Sequence, residues 1–245
     1  DKKKDLMLEE KINKFLLDDR LLDIVKILLG KNPVYFGDSS YTLYDNHKEV
    51  GQYHKDCTDR LDPRAPDWRG KYPLIRVALF LQDHKKQGGG VLLGRKSHNV
   101  LFSNNFLQTV YEEIYGFLSG RFNYIDSELG DLVIWNLRTT HGPLGKYIKY
   151  FFKRPVSRRL NKFLPNFIKK SCRGKRLLIQ TTYGQESGHL LRYVEYLKTR
   201  NYMVNRWIYN KYPSNIKNLF NKKNILFYDL HKKTKEELAS GKIKP

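Results

Sequence analysis

The chain has 245 residues, of which 40% are hydrophobic, and it carries a formal net charge of +21 at pH 7. Its length allows one sizeable core, and two cysteines in so long a chain exclude a disulfide framework of the extracellular type. No apolar run has the length of a membrane span, and no segment of signal-peptide type follows the lysine-rich start. We therefore expect a cytoplasmic protein with a single domain, residues 1–245. Its partner, substrate or contacted surface should be anionic, because a positive field attracts negative groups.

The N-terminal part is predicted to be helical and is followed by strands. Apolar residues recur over residues 5–29 at spacings of mostly three and four, which predicts an amphipathic helix that ends at Gly30. The pair Asp18-Asp19 predicts a break within it. Residues 33–44 are rich in aromatic and β-branched side chains and predict one or two strands.

The sequence His54-Lys55-Asp56 is the first candidate for a metal site. On a strand, His54 and Asp56 project from one face and Lys55 from the other. A second imidazole from a distant strand, that of His141 in Thr-Thr-His-Gly-Pro, would complete two nitrogens and one oxygen on one face of an octahedral ion. This is the facial triad of non-heme Fe(II) oxygenases, whose open positions take a co-substrate and O₂.

A loop is predicted over residues 59–72, which contain proline and mixed charge. A loop next to a metal-bearing strand is well placed to line a substrate pocket, with a tryptophan as an apolar wall and an arginine as an anion clamp. The alternative is a surface loop with incidental charges. The candidate substrate-binding residues are Trp68, Arg60, Arg64 and Arg76.

The middle of the chain predicts alternating strands and connecting segments. The predicted elements are a buried strand at 74–81, a turn at 85–90, a helix at 104–118, a second buried strand at 131–135 and a further strand at 176–183. The second buried strand leads towards His141. Beyond residue 187 the pattern is helical, residues 224–230 predict a short strand or helix, and the polar tail 232–245 predicts disorder.

A basic insert is predicted at residues 146–175. From Leu132 to Gln185 the sequence contains no Asp or Glu, and lysines and arginines alternate there with aromatic and aliphatic residues. This pattern suits a membrane surface, single-stranded nucleic acid, a lid that carries charge to a phosphorylated substrate, or a flap whose apolar residues pack on the sheet. We rank nucleic acid below an anionic small molecule, glycan or lipid.

The order of these motifs resembles the phytanoyl-CoA dioxygenase family of Fe(II)/2-oxoglutarate oxygenases, over roughly residues 33–184. The matching motifs are His54-Lys-Asp56, the aliphatic strand 74–81, the glycine-rich stretch Gly88 to His98, Gly130-Asp131 and His141-Gly142. The resemblance implies a mainly β fold with flanking helices, a double-stranded β-helix or cupin-like jelly roll. The core would then be 33–184, preceded by a helical part, 1–30, and followed by a helical extension, 187–245.

The same resemblance implies the chemistry. Fe(II) would be held by His54, Asp56 and His141, with 2-oxoglutarate as co-substrate and O₂ as oxidant. Related halogenases replace the carboxylate ligand by a small residue, so Asp56 favours hydroxylation of an unactivated C–H bond. In the family an arginine that follows the distal histidine anchors 2-oxoglutarate. The basic insert interrupts that pattern here, and we assign the arginine to Arg176 at the start of a strand, with Arg154 as the alternative.

Three alternatives remain open from the sequence. Related oxygenases couple the same oxidation to ring closure or desaturation. The three ligands also suit a Zn²⁺ ion with a bound water, which would serve hydrolysis without 2-oxoglutarate. Finally, the chain could be a nucleic-acid-binding or membrane-binding module without catalysis, with the basic insert as its working surface. Contact of that insert with a membrane would make the protein membrane-peripheral.

Overall fold

A computed structural model describes most of the chain. The described residues are 4–45, 53–59, 62–84, 90–115, 121–149, 156, 160–172 and 175–243. Within them the protein is mixed α/β, with several sheets, and it forms two compact units. The first unit contains residues 1–41, 71–77 and 180–245, and the second contains 42–70 and 78–179.

The described part of the chain has eight α-helices and eleven strands. The helices are α1 (Glu10–Leu16), α2 (Asp19–Leu29), α3 (Asn105–Thr109), α4 (Leu160–Phe163), α5 (Gly188–Leu197), α6 (Asn201–Tyr209), α7 (Ser214–Lys222) and α8 (His231–Ala239). The strands are β1 (Pro33–Tyr35), β2 (Ser39–Asp45), β3 (Leu74–Phe80), β4 (Val91–Gly94), β5 (Phe122–Tyr124), β6 (Leu132–Asn136), β7 (His141–Pro143), β8 (Lys146–Ile148), β9 (Lys169–Ser171), β10 (Lys175–Gln185) and β11 (Leu226–Phe227). Short 3₁₀ turns lie at Leu6–Leu8, Pro66–Trp68, Ser97–Asn99 and Asn166–Ile168.

The predicted N-terminal helix is present, with the predicted break. Asp18 has extended backbone angles, and its side chain accepts a hydrogen bond from the backbone N–H of Arg20, which caps α2. Helix α2 then buries one stripe of apolar side chains in the first unit. That stripe consists of Leu21, Leu22, Val25 and Leu29.

The first unit also contains a sheet in which β1 lies between β10 and β11. Val34 is paired with Gly184 on one side and with Leu226 on the other, so residues 224–230 do contain a strand. The prediction of a disordered tail over 232–245 is wrong as far as Ala239, because α8 occupies this stretch. The carboxylate of Glu237 in α8 lies 2.5 Å from the Lys198 ammonium.

The second unit contains parts of two sheets. One runs in the order β10-β3-β6 and the other in the order β5-β4-β7. One buried cluster joins them, because Val91 of β4 packs with apolar residues of the other sheet. The residues from that other sheet are Ala78, Phe80, Val133, Trp135 and Leu178. Face-to-face packing of two sheets is thus the core of this unit.

The predicted helix at 104–118 begins as expected but changes its winding. The side chain of Asn104 accepts hydrogen bonds from the backbone N–H groups of Phe106 and Leu107 and so caps α3. From Val110 to Tyr115 the chain continues as a π-helical turn. Such turns are rare in proteins, and those that occur are often found at functional sites.

The described part of the basic insert consists of a hairpin and two short turns of helix. Strands β8 and β9 pair antiparallel, with Tyr147 opposite Lys170. Helix α4 and the 3₁₀ turn Asn166–Ile168 precede β9 and leave Phe163 and Phe167 exposed. Among the described residues, no helix combines the length and the apolar character needed to cross a membrane.

Candidate metal centre

His54, Asp56 and His141 converge in the second unit, as the sequence predicts. One potential ligand atom from each lies within 4.8 Å of the other two. Nε2 of His54 is 3.6 Å from Oδ1 of Asp56, and Nε2 of His141 is 3.5 Å from Oδ2. The two imidazole rings are 4.3 Å apart between centroids. The Asp56 carboxylate therefore has one oxygen close to each imidazole.

Backbone pairing holds the three residues together. His54 and His141 form an isolated antiparallel β-bridge, in which each N–H donates to the other carbonyl at 2.9 Å. The N–H of Asp56 donates to the carbonyl of Leu137, also at 2.9 Å. His141 is in turn fixed by β4, where it pairs with Leu93. The predicted strand around His54 is thus reduced to one bridge, but the side chains still project on one side.

The surroundings of His141 prepare its Nε2 to bind a metal. Its Nδ1 lies 3.0 Å from the carbonyl oxygen of Thr139, and because a carbonyl only accepts, Nδ1 carries the proton and Nε2 keeps its lone pair. The ring of Trp135 lies 5.3 Å from the imidazole. The His141 side chain is 9% exposed, whereas that of His54 is 38% exposed. His141 is therefore a buried candidate ligand, whereas His54 is partly exposed to solvent.

The donor set fits a divalent ion. Ligands about 2.1 Å from an octahedral ion and at right angles to each other lie about 3 Å apart. The observed separations of 3.5 and 3.6 Å need only small side-chain rotations to reach that value. Two neutral imidazoles and one carboxylate would leave a divalent ion with one net positive charge, which suits an anionic chelating ligand.

Lys55 lies on the opposite side of the motif, as its position between the two ligands predicts. It is 3% exposed. Its ammonium donates to the carbonyl of Ser97 at 2.7 Å, to the carbonyl of Arg138 at 3.0 Å and to Oγ1 of Thr140 at 2.7 Å. Burial lowers the pKa of Lys55 to about 8, while the negative charge of Glu112 acts in the opposite direction.

Thr140 connects this lysine to the π-helical turn. Its hydroxyl donates to Oε1 of Glu112 at 2.8 Å, and the same oxygen accepts from the amide of Gln108 at 2.6 Å. The backbone N–H of Thr140 donates to Oγ of Ser97 at 2.8 Å. We call Lys55, Ser97, Glu112, Arg138 and Thr140 the Lys55 network.

The predicted substrate residues of the loop have different surroundings. Trp68 is half-buried, and its ring lies near two cations, 5.7 Å from the Lys55 ammonium and 5.3 Å from the Arg138 guanidinium. Trp68 therefore packs against the Lys55 network, and its contact with substrate stays a prediction. Arg64 is exposed, and Arg60 lies outside the described residues.

Arg76 is part of a buried ion cluster in the first unit. Its Nη1 donates to Oδ2 of Asp38 at 2.9 Å, and Nη1 of Arg206 lies 3.3 Å from Oδ1 of the same carboxylate. Arg76 is 8% exposed. Its guanidinium therefore binds Asp38 inside the fold, and a contact of Arg76 with substrate stays a prediction.

The candidate co-substrate arginine lies on the core face of the second unit. Arg176 and Leu178 are two residues apart on β10 and so share a face of the sheet. Leu178 packs in the same cluster as Trp135, whose ring neighbours His141. Arg176 is thus on the sheet face that leads to the metal ligands. Arg154 lies outside the described residues.

His84 is a buried histidine on the same side of the core. Its Nδ1 lies 2.9 Å from Oγ of Ser127, and its ring packs edge-on to Phe80. Nε2 is buried and has no hydrogen-bond partner among the residues that the structure describes. Burial, and to a lesser degree the charge of Arg176, lower the pKa of His84 to about 4. The imidazole is therefore neutral at neutral pH.

The motif pattern does not predict three features of this region. They are the hydrogen-bond acceptors of Lys55, the position of Trp135 beside His141 and the position of His84. The alternation of a strand already places Lys55 behind the ligands, but its acceptors come from segments far away in the chain. Trp135 was recognisable only as part of an apolar strand. His84 follows the end of β3, with no periodic signal of its own.

Comparisons with known proteins give distant structural likenesses. No family model matches the sequence, and no curated protein matches it. HygX from Streptomyces hygroscopicus with nickel and 2-oxoglutarate bound is 18% identical, with a TM-score of 0.48, over 73% of this chain and 66% of that one. AviO1 from Streptomyces viridochromogenes Tue57 is 13% identical, with a TM-score of 0.48, over 75% of this chain and 66% of that one.

A third similar structure is that of EvdMO1, which is 12% identical, with a TM-score of 0.48, over 75% of this chain. This chain covers 35% of EvdMO1. It therefore spans between about a third and two thirds of the length of these proteins.

Proposed function

We propose that this chain is an Fe(II)- and 2-oxoglutarate-dependent dioxygenase that hydroxylates an unactivated C–H bond. The observation that carries the proposal is the convergence of His54, Asp56 and His141, whose ligand atoms lie within 4.8 Å of one another. Two imidazoles and one carboxylate form the facial donor set of non-heme iron oxygenases. The packing of two sheets around one core in the second unit supports a jelly-roll arrangement for this domain.

Arg176 favours this proposal over zinc-dependent hydrolysis, for which the same three ligands would serve. An oxygenase of this type needs a cation that binds the distal carboxylate of 2-oxoglutarate, and a hydrolase does not. A guanidinium suits that role because its fork donates two parallel hydrogen bonds to a carboxylate. Arg176 shares its sheet face with the cluster that contains Trp135.

Different residues of the chain would have different roles at this site. Bound Fe(II), 2-oxoglutarate and O₂ supply the oxidising power for C–H cleavage, while 2-oxoglutarate becomes succinate and CO₂. Thr139 holds the proton of His141 on Nδ1, so that Nε2 stays free to bind. Trp135 covers the ring of His141 and keeps water from that side. Arg176 would orient the co-substrate along the core face.

An anionic small molecule, glycan or lipid is the proposed substrate class. The net charge of +21 supports it, because such a field concentrates anions near the protein. The same donor set would serve ring closure or desaturation, and these remain the alternative outcomes. Product analysis separates them, since only hydroxylation adds an oxygen atom to the substrate.

Anaerobic addition of Fe(II) and 2-oxoglutarate to the metal-free protein tests the proposal. We expect the weak visible charge-transfer band of the chelate, and its loss in the His54→Ala variant. Arg176→Gln should weaken 2-oxoglutarate binding but leave metal binding unchanged, whereas the matched variant Arg20→Gln, at an exposed arginine, should behave as the wild type. Metal binding without the band would instead favour a zinc hydrolase.

Turnover of an identified substrate gives a second check. Asp56→Ala removes the only carboxylate of the triad, so we expect it to abolish iron-dependent turnover. An Asp56→Ala protein that retains iron-dependent activity would show that this carboxylate is not an essential ligand.

A further inference from the structure

The Lys55 network joins the two segments that carry the metal ligands, on the side away from the metal. Lys55 lies between His54 and Asp56, and its three acceptors belong to Ser97, Arg138 and Thr140. Two of these acceptors lie on the segment that leads to His141. The buried ammonium therefore binds this segment from behind.

We propose that Lys55 and Thr140 are positioning residues, which set the separation of His54 and Asp56 from His141 and so determine metal affinity. This inference rests on the proposed function only in assuming that the three ligands bind a divalent ion. The groups that act are the Lys55 ammonium, the Thr140 hydroxyl and the Glu112 carboxylate, linked by hydrogen bonds of 2.7 and 2.8 Å.

Segment 137–141 explains how the network acts on all three ligands. The carbonyl of Leu137 fixes the backbone of Asp56, the carbonyl of Thr139 fixes the ring of His141, and His141 itself pairs with His54. Lys55 binds this same segment at Arg138 and Thr140. A shift of the segment would therefore change the distances from His141 to both His54 and Asp56.

The energetics of the network favour a single arrangement. A buried ammonium is costly unless its donors are satisfied and a counter-charge is near. Here three donors have acceptors, and Glu112 supplies a negative charge through the shared Thr140 hydroxyl. Charge-assisted bonds of this kind are shorter and stronger than neutral ones. Few other positions of segment 137–141 would satisfy the same groups.

Substitutions at Thr140 provide the sharpest test, because they change one hydroxyl and little else. Thr140→Val keeps the shape and removes the acceptor for Lys55, whereas Thr140→Ser keeps the hydroxyl. Lys55→Met removes all three bonds while it retains the length of the side chain. Lys149→Met, at an exposed lysine, is the matched control for the loss of one positive charge.

The measurements are the Kd for Co²⁺ and the visible spectrum of the Co²⁺ complex, each on protein whose folded fraction is known from urea unfolding without metal. We expect Thr140→Val and Lys55→Met to bind Co²⁺ about 10- to 100-fold more weakly, with an altered spectrum, as for other residues that orient ligands. Thr140→Ser and Lys149→Met should resemble the wild type.

Two results would overturn the inference. Unchanged Co²⁺ affinity and spectrum in Thr140→Val would show that the network only stabilises the fold, and so would equal losses in Thr140→Val and Thr140→Ser. Failure of the proposed metal site gives a different result, since wild type and His54→Ala would then bind Co²⁺ equally. If Lys55→Met does not fold, the Thr140 pair decides the question.

A second inference comes from the exposed apolar side chains of the basic insert. The Phe163 side chain is 82% exposed and that of Phe167 is 71% exposed. Lys162 and Lys170 beside them are also exposed, and Leu164 and Ile168 are half-buried. No acidic residue occurs between Leu132 and Gln185. Exposed apolar rings thus stand next to exposed lysines in this segment.

We infer that this surface, defined by Phe163 and Phe167, docks onto an anionic lipid bilayer. Phenylalanine rings enter the headgroup region, and each nearby lysine is attracted by anionic lipid. Nucleic acid fits less well, because bases stack on aromatic faces and the neighbouring Leu164 and Ile168 offer none. The stretch from Leu132 to Gln185 itself contributes no carboxylate that would repel an anionic surface.

Vesicle sedimentation tests this inference with phosphatidylcholine vesicles that contain or lack phosphatidylserine. The wild type should bind only the anionic vesicles, and salt should weaken binding. The double variant Phe163→Ser, Phe167→Ser should bind at least about tenfold more weakly. Phe106→Ser removes another exposed phenylalanine, 69% exposed, and should bind as the wild type.

Equal binding by wild type and the double variant would overturn the inference. So would a single-stranded oligonucleotide that binds more tightly than the vesicles and loses its affinity in the double variant. Circular dichroism of the double variant, compared with the wild type, ensures that a loss of vesicle binding is not a loss of fold.

Discussion

Replacement of His84 by asparagine should flatten the dependence of protein stability on pH below neutrality. His84 is 1% exposed, and its Nδ1 faces Oγ of Ser127. Burial and the neighbouring charge of Arg176 lower its pKa from 6.5 to about 4. The folded protein therefore takes up this proton at a much lower pH than the unfolded chain does.

The sign and size of the effect follow from this difference. Above about pH 6.5 the imidazole is neutral in both states and has no effect on the pH dependence. As the pH falls from 6.5 towards 4, the unfolded chain binds the proton and the folded protein does not, so stability is lost. Because the pKa of His84 falls from 6.5 to about 4 on folding, the free energy of unfolding decreases by about 3 kcal/mol over this pH range. This follows from about 1.4 kcal/mol for each pH unit.

Urea unfolding of wild type and His84→Asn at neutral pH and near pH 4 measures this contribution. The variant leaves a small cavity, which lowers the free energy of unfolding. This loss is the same at both pH values and therefore cancels in the comparison. We expect the wild type to lose about 3 kcal/mol more than the variant between the two conditions. Parallel losses in both proteins would refute a buried, neutral His84 in the folded state.

Two other substitutions test the packing and the buried charges. In Gly90→Ala the new Cβ would lie 2.7 Å from a ring carbon of Tyr124, so we expect a loss of about 1–3 kcal/mol in the free energy of unfolding. Asp38→Ala would leave the buried cations of Arg76 and Arg206 without their carboxylate, and we expect a loss of about 3–5 kcal/mol in urea unfolding.

Each of these variants has a control in the same chain. Gly188→Ala places a Cβ no closer than 3.4 Å to the flexible end of Arg192, and should not destabilise. Asp19→Ala removes a carboxylate that is 72% exposed and pairs with Lys223, and should cost less than about 1 kcal/mol. A loss at Asp38 no larger than at Asp19 would contradict the argument from buried charge.

The convergence of the three candidate metal ligands could be predicted because their signal is local. The spacing of His54 and Asp56 places both on one side of an extended segment, and His141 stands in a motif of its own. The structure brings all three together. The break at Asp18 was similarly predictable, because a carboxylate before an apolar run is a helix cap.

The partners of buried charges could not be predicted, because they depend on contacts between distant segments. Arg76 stands in an apolar strand near the loop, and nothing local indicates Asp38 as its partner. Helix α8 shows the same limit. It buries Thr234 and Glu237 instead of an apolar stripe, so it has no hydrophobic period. Its ion-pair partner Lys198 is the residue that follows α5.

The reciprocal backbone bonds between His54 and His141 also determine when the site can form during folding. These two residues are far apart in sequence, and closing a long loop is a slow, late step. Before it, the chain offers only the histidine and carboxylate of one short segment, which is too few ligands for tight binding. A divalent ion should therefore slow unfolding of the finished protein and leave its rate of refolding unchanged.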